Sequence, residues 1–282
     1  MFDADGASLI DSGYGKHASL TEALIQNQLQ ANHSSGLLRV INTHLHSDHC
    51  GGNAPLRRTF GCRIRIPLTD ALTVANWDDA QMEHTRLGQR IERFTADEFA
   101  EPGEQWSLGG VSWQVLAAPG HDPHSLMLYC ASHGILISAD AFWENGFGIN
   151  FPALSGDLNG FNEQRAVLDL IAQLPIKFII PGHGRMFCEL KAALQRAYDR
   201  LAAFEADPVR HARYALKALI KFQMLECERI DEQELLARLE ATEMMQRCAA
   251  LTHRATRLAC VESIDELVAR STLKRHEGQV LN

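Results

Sequence analysis

The sequence contains no apolar run long enough to span a bilayer, so no transmembrane helix is expected. Its opening stretch, MFDADGASLIDSG, is acidic and has no basic n-region, which argues against a signal peptide and for a cytoplasmic protein. Cysteine is scattered at positions 50, 62, 130, 188, 227, 248 and 260, with no C-x-x-C pair and an odd total. That pattern argues against a disulfide framework or a cysteine zinc knuckle and leaves the thiols as small buried side chains. Basic residues are nowhere in excess. Residues 1–185 hold 12 Lys+Arg against 20 Asp+Glu, and residues 186–282 hold 15 of each. Nucleic-acid binding carried by electrostatics is therefore disfavoured. Repeats and low-complexity linkers are absent as well.

What is present is 282 residues, 46% of them hydrophobic, enough for one large domain or a domain with an appendage. Short buried strands are expected at 8–12, 37–43, 62–67, 111–118, 125–131, 134–140 and 177–180. A helix opens near Ser19, which forms a capping-box pattern with Glu22, and another fits 161–174. Residues 69–93 read as irregular helix, with a break at Trp77, Asp78 and Asp79. From 186 onward helices dominate, at 187–206, 209–227 and 232–245. Asp231 with Glu234 and Ser263 with Glu266 offer two more capping boxes, and Glu277-Gly278 is placed to turn a hairpin. The boundary falls near 190–208, giving a catalytic domain at 1–207 and a helical module at 208–282. Leu216, Leu219, Ile220 and Gln223 share one stripe of the 209–227 helix, as core or as a homodimer contact.

The chemistry concentrates in T-H-L-H-S-D-H, Thr43 to His49. Imidazole and carboxylate suit zinc and neighbouring divalent metals. At the end of a strand, positions i and i+2 project to one side, so His44 and His46 can hold one metal together. Asp48 and His49 follow just past the turn and can face a second. His121 in A-P-G-H, Asp140 in I-S-A-D and His183 in P-G-H-G each end a later apolar run, beside glycines that allow a sharp turn. Thr43 is expected to bond locally to the backbone, and Cys50 to be an inert buried thiol. His124 is a candidate substrate contact or a packed support residue near His121. Phe142, Trp143, Phe147 and Phe151 are candidates for an apolar substrate wall. Trp77 is a candidate lid residue.

The ordered set resembles the metallo-β-lactamase superfamily over roughly residues 7–190, and in general form the glyoxalase II-like hydrolases within it. The resemblance implies an α/β fold, an αββα four-layer sandwich with the metals in a cleft at one edge. It implies His44, His46 and His121 on one metal and Asp48, His49 and His183 on the other, with Asp140 bridging. It implies two divalent ions, zinc first with iron or manganese as alternatives. It also implies hydrolysis by a hydroxide held between them, with Asp48 as the catalytic carboxylate that orients the nucleophile or passes a proton. The expected substrate is a small ester, thioester or lactone.

Two departures from the family qualify this. Relatives carry one or two strands before the L-I-D-x-G element, which here already stands at Leu9–Gly13, so either the first sheet is expected to lack its outer strand or the start codon is expected to be internal. After Asp140 the chain reads A-F-W-E-N-G-F-G, without the stretches that bind glutathione in glyoxalase II or persulfides in the persulfide dioxygenases. The module at 208–282 resembles a small winged-helix-like appendage. Two other readings compete with the hydrolase. One is a mononuclear iron dioxygenase using His44, His46, His121 and Asp140. The other is a nucleic-acid-binding or scaffold protein acting through the C-terminal module.

Overall fold

The computed structural model describes residues 1–77 and 82–282. Asp78 and Asp79 of the expected break therefore lie outside the described residues. The chain starts with β1 (Phe2–Asp3) and β2 (Gly6–Ile10), then α1 (Ala18–Ala31) and β3 (Leu37–Ile41). Next come α2 (Ser47–Cys50), α3 (Asn53–Phe60), β4 (Arg63–Pro67), α4 (Ala71–Asn76), α5 (Glu83–Arg86) and β5 (Glu98–Ala100). These strands form one sheet in the order β1-β2-β3-β4-β5, with β1 antiparallel to β2 and the rest parallel. The two-residue β1 forms the edge beside β2, tied down by the Met1 amine donating to the Ser8 carbonyl at 2.9 Å.

A second sheet follows from β6 (Gln105–Leu108), β7 (Val111–Ala117), β8 (Leu126–Cys130) and β9 (Ile135–Ala139). The chain then crosses over through α6 (Phe151–Leu154) and α7 (Asn159–Gln173) to β10 (Phe178–Pro181), parallel to β9. The two sheets pack face to face, and strand alternation shows how. In β8, Leu126, Leu128 and Cys130 turn to the cluster between the sheets, which also holds Ile41, Trp113 and Val115. Met127 and Tyr129 turn the other way, onto α7 residues Val167, Leu168 and Ile171. In β3, Val40 joins Ile25, Leu56 and Ile64 under α1 and α3, while Ile41 faces the other sheet. The layers are therefore helix, sheet, sheet, helix.

The remainder is α8 (Leu190–Ala206), α9 (Pro208–Cys227), β11 (Arg229–Asp231), α10 (Glu232–Ala241), α11 (Glu243–Leu251), α12 (Thr256–Ala269), β12 (Lys274–His276) and β13 (Gln279–Leu281). The last three strands make a small antiparallel sheet in the order β11-β13-β12. Leu216, Leu219, Ile220 and Gln223 are buried, and the three apolar ones share a core with α10, α11 and α12. That core also takes Leu87, Ile149, Phe151 and Leu154 from the earlier part of the chain. No helix of the described residues is long and apolar enough to cross a membrane.

Several local expectations need correction. Ser19 does not cap α1. The helix starts one residue earlier, with His17 at the cap and no side-chain cap bond. Ser263 is buried inside α12, where its neighbours' backbone bonds are already made, so it caps nothing. The helix expected over 232–245 is two helices, because Thr242 takes an extended conformation (φ −83°, ψ 122°). Strand β11 was not anticipated, since three residues are too few to show a period. Asp231 does cap α10, accepting from the Gln233 and Glu234 amides. Glu277 (φ 47°) and Gly278 (φ 75°) turn the β12–β13 hairpin with both central residues left-handed.

Candidate metal centre

The His-rich loop leaves β3 at Ile41 and is pinned from several sides. Asp11, at the end of β2, accepts from the Thr43 amide at 2.8 Å and from the Thr43 hydroxyl at 2.9 Å. Thr43 thus bonds to a side chain across the sheet, not to local backbone as expected. The Asn42 amide and the Ser12 hydroxyl both donate to the His49 carbonyl, at 2.8 and 3.1 Å, and Asn53 donates to Asn42 at 2.7 Å. Cys50 is buried and donates its thiol to the Leu45 carbonyl. These bonds make a rigid shelf from a segment that has no regular structure between Ile41 and Ser47.

On that shelf the imidazoles converge in two groups. His44, His46 and His121 each offer a ring nitrogen within 4.8 Å of the others. His46 Nδ1 lies 3.0 Å from His44 Nε2 and 2.8 Å from His121 Nε2. The outer nitrogens are engaged elsewhere, His121 Nδ1 against the Ile149 carbonyl at 2.6 Å and His44 Nδ1 against Thr43 at 3.1 Å. Asp48, His49, Asp140 and His183 form the second group within the same limit. His49 Nδ1 is held by Asp11 at 2.8 Å, which turns Nε2 inward. Asp140 lies between the groups, its carboxylate 3.4 Å from each of His49 Nε2, His121 Nε2 and His183 Nε2. His183 Nε2 also lies 2.9 Å from Asp48 Oδ2.

The electrostatics divide along the same line. Burial, then the neighbouring imidazoles, holds His44 and His46 well below the ordinary histidine range, and burial first of all lowers His121. Three neutral imidazoles with converging lone pairs are in the form that binds a metal. In the second group, burial opposes a charge on His49, but Asp140, Asp11 and Asp48 outweigh it and hold the ring well above its usual range. Burial likewise opposes charge on His183, yet hydrogen bonds to Asp140 and Asp48 push it up to about 10. Protons on these rings stand where a cation would relieve the same carboxylates.

The residues fit a metal on independent structural grounds. His49 Nε2, His183 Nε2 and Asp48 Oδ2 are buried and have no well-aligned hydrogen-bond partner, although such groups normally find one. Two glycines leave the space open. A Cβ at Gly182 would lie 2.1 Å from Asp140 Oδ1 and 2.9 Å from His49 Cε1, and one at Gly148 would lie 2.4 Å from His121 Nδ1. Any larger residue would displace a candidate ligand.

A cleft of about 280 Å³ opens onto both groups, and its wall is mostly apolar. Trp143 lines it, donating from Nε1 to Asp140 at 3.3 Å and packing edge-on against His183. Phe151 lines it too, against His46 and His121. Phe142 and Phe147, expected in the same wall, are instead fully buried against Phe187 and Phe204. The segment after Asp140 turns tightly, with Trp143 and Gly146 paired through their backbones, so that Phe142 and Phe147 enter the core while Trp143 faces the cleft. His124 also stands outside the cleft, because Asp70 draws its ring away in a 2.6 Å ion pair. Trp77 packs against Phe94 and is not part of the wall.

Other lining residues went unrecognised in the sequence: Leu87, Gln89 and Ile149, and on α9 Tyr214, Ala218, Lys221, Phe222 and Leu225. Nothing local marks them, since only the docking of α9 brings them to the site. Asp11 carried a faint signal, as the acidic residue of the L-I-D-x-G element. Behind His46, Glu83 and Asp122 form a third small group, with His46 Nε2 at 3.9 Å from Asp122. Burial, then Glu83 and Asp70, pushes the Asp122 carboxyl up to about 7.

Comparison with known proteins agrees with this geometry. The sequence profile of the Metallo-beta-lactamase superfamily matches residues 2–183. A hydroxyacylglutathione hydrolase of Nitrobacter winogradskyi is 27% identical over 150 residues, 52% of this chain and 51% of that one. Another, of Idiomarina loihiensis, is 25% identical over 186 residues, 66% of this chain and 56% of that one. The chain thus spans about half the length of the curated relatives it matches. Among solved structures, a metallo-beta-lactamase family protein from Thermus thermophilus superposes with a TM-score of 0.57 at 19% identity, over 100% of this chain and 92% of that one. At that identity the likeness speaks to the fold alone.

Proposed function

The chain belongs to the metallo-β-lactamase superfamily, and from that membership we propose that it is a metal-dependent hydrolase of a small ester, thioester or lactone with an apolar acyl part. The observation that carries the proposal is the pair of converging His/Asp groups at the floor of an apolar cleft. His44, His46 and His121 would hold one ion, Asp48, His49 and His183 a second, with Asp140 shared. Divalent ions there, zinc first, would make bound water acidic and polarise the carbonyl under attack. The chain's own groups do the rest. Ile149, Phe151, Phe222 and Leu225 offer an apolar bed that orients the acyl part and keeps bulk water away. Asp48, whose Oδ2 lies 2.9 Å from His183 Nε2, is the carboxylate we assign to take a proton from the attacking water. Trp143 holds Asp140 from the open side.

The mononuclear iron dioxygenase reading is less favoured, because it leaves Asp48, His49 and His183 gathered without a task. A glutathione substrate is not favoured either, since the segment 141–148 has no matching stretch, although the relatives named above carry that activity in their names. We also propose a division into a catalytic domain at 1–207 and a winged-helix-like module at 208–282. The antiparallel order β11-β13-β12 and the helices α9 to α12 around it support this. A cytoplasmic location and a homodimer are further parts of the same reading.

Elemental analysis alongside a panel of lactones, thioesters and aryl esters tests it. The expected result is near two divalent ions per chain and an activity abolished by His46→Ala and by Asp140→Ala. One iron with oxygen consumption would overturn the hydrolase reading, and activity surviving both substitutions would place the reaction elsewhere.

A further inference from the structure

The balanced charge of residues 186–282 conceals a local separation of sign. A cleft of about 510 Å³ lies between α8, α9 and the end of α12, and five cations line it: Arg200, Arg210, Arg213, Lys217 and Arg270. Only Asp207 and Glu266 oppose them there. Asp207 already accepts from the Arg210 amide as the cap of α9, and Glu266 is paired with Lys217 at 2.7 Å. Arg210, Arg213 and Arg270 are exposed and make no salt bridge among the described residues, although Arg270 and Arg213 lie near enough to Glu266 to help lower its carboxyl. Like charges gathered in a concave site repel one another, and an anion placed among them relieves that repulsion.

The cleft shares one wall residue with the cavity over the metal centre. Tyr214 belongs to the walls of both cavities. Arg200 lies over the Tyr214 ring at 5.1 Å and donates to the Phe147 carbonyl at 3.1 Å, in the segment that follows Asp140. We propose that the basic cleft binds the phosphate-bearing end of the substrate, whose acyl end lies in the apolar cleft on the other side of Tyr214. The substrate is then an ester or thioester of a phosphorylated carrier. This rests on the hydrolase reading and extends it. Arginine forks from three helices match the several oxygens of a phosphate better than a single carboxylate. The volume is that of a small-molecule site, larger than one phosphate requires.

Nucleic acid is the weaker occupant. The helix that a winged fold would offer to a groove, α12, carries Glu262, Asp265 and Glu266 against Arg257. Nearby bases are spent on ion pairs, Arg257 with Glu240 and Arg275 with Glu232 and Asp265.

The test uses the metal-loaded protein, the double variant Arg213→Ala/Arg270→Ala and, as an independent probe, Arg210→Glu. Calorimetric titration with pyrophosphate and with coenzyme A reads the anion site directly. Hydrolysis of one acyl group carried on coenzyme A and on unphosphorylated pantetheine reads its role. Saturable binding of both anions is expected, weakened at least about tenfold in each variant, as loss of charge-assisted bonds requires. KM for the coenzyme A thioester should rise by a similar factor with kcat and the pantetheine thioester unchanged. Absence of saturable binding, or equal affinity in the variants, overturns the site. Anion binding lost in the variants while both thioesters are hydrolysed alike overturns the substrate role. Binding without hydrolysis of either thioester keeps the anion site and counts against the thioesterase reading instead. Tighter, steeply salt-dependent binding of duplex DNA through the same arginines would overturn the proposal in favour of nucleic acid.

Discussion

Replacing Asp11 by Asn should weaken metal binding without disturbing the fold. Asp11 touches no candidate metal position but accepts three hydrogen bonds: from the Thr43 amide, the Thr43 hydroxyl and His49 Nδ1. Its backbone is left-handed (φ 58°), a conformation that Asn tolerates, so the substitution adds no strain there. The amide oxygen can keep the Thr43 amide. The NH2 group, however, then faces His49 Nδ1 and donates to it, which drives the imidazole proton to Nε2. That nitrogen is the one turned toward Asp48 and Asp140. A metal there must displace the proton and rely on a ring no longer made basic by a carboxylate. Outer carboxylate partners of this kind contribute about 10–100-fold in affinity, or roughly 1.4–2.7 kcal/mol. Competition with a chromophoric chelator measures the change. The thermal stabilisation gained on adding metal should fall by a similar free energy at fixed metal concentration. A Kd unchanged within about twofold, with the variant folded, would refute the reasoning. Thr43→Val, which removes the hydroxyl's contacts with Asp11 and with His44 Nδ1 but leaves the Asp11 carboxylate on His49, is the comparison and should lose less affinity than Asp11→Asn.

Gly182→Ala should strip the centre, because its methyl would collide with Asp140 and His49; wild-type metal content by elemental analysis would contradict this. Phe222→Ala should raise KM for apolar substrates by the equivalent of about 1–2 kcal/mol while leaving metal content intact, and an unchanged KM would remove α9 from the substrate wall. His211 supplies a pH test away from the centre. It is buried, stacks on Phe204 at 4.5 Å, and burial lowers its pKa from 6.5 to about 4. Between those values the unfolded chain binds the extra proton. This contribution to stability is therefore complete above pH 6.5 and is lost as pH falls toward 4, by roughly 3 kcal/mol in all. Denaturant unfolding of His211→Phe should show a flatter profile across that window, and a profile matching the wild type would reject the assignment.

Much of the layout could be read from the chain. Strand 111–117 alternates in sequence and in burial, while 126–130 is a continuous apolar run buried on both faces against different layers. Weak points in the reading share one cause, which is that a local pattern lacks its neighbours. Ser19 and Ser263 have the spacing of capping residues, but helix ends are set by where packing begins, one residue earlier for α1 and well upstream for α12. Phe142, Trp143 and Phe147 look alike in sequence, yet a tight turn sends two into the core and one to the cleft. His124 stands only three residues from His121, but its orientation is decided by Asp70, a residue from a distant part of the chain.

The sequence by itself determined the donor set. Seven His and Asp side chains follow apolar strands, and their chemistry needs no fold to be recognised as suited to divalent metals. The tertiary structure decided what surrounds them. It set which nitrogen of His49 and of His121 faces inward, because the partners that choose it, Asp11 and the Ile149 carbonyl, are remote in sequence. It brought α9 over the candidate metal groups, placing Phe222 and Leu225 in the cleft wall, which no local motif announces. It also sorted residues 186–282, whose charges sum to zero, into a basic cleft and an acidic face on α12. Net charge sums over residues, whereas a binding site depends on which of them meet in space.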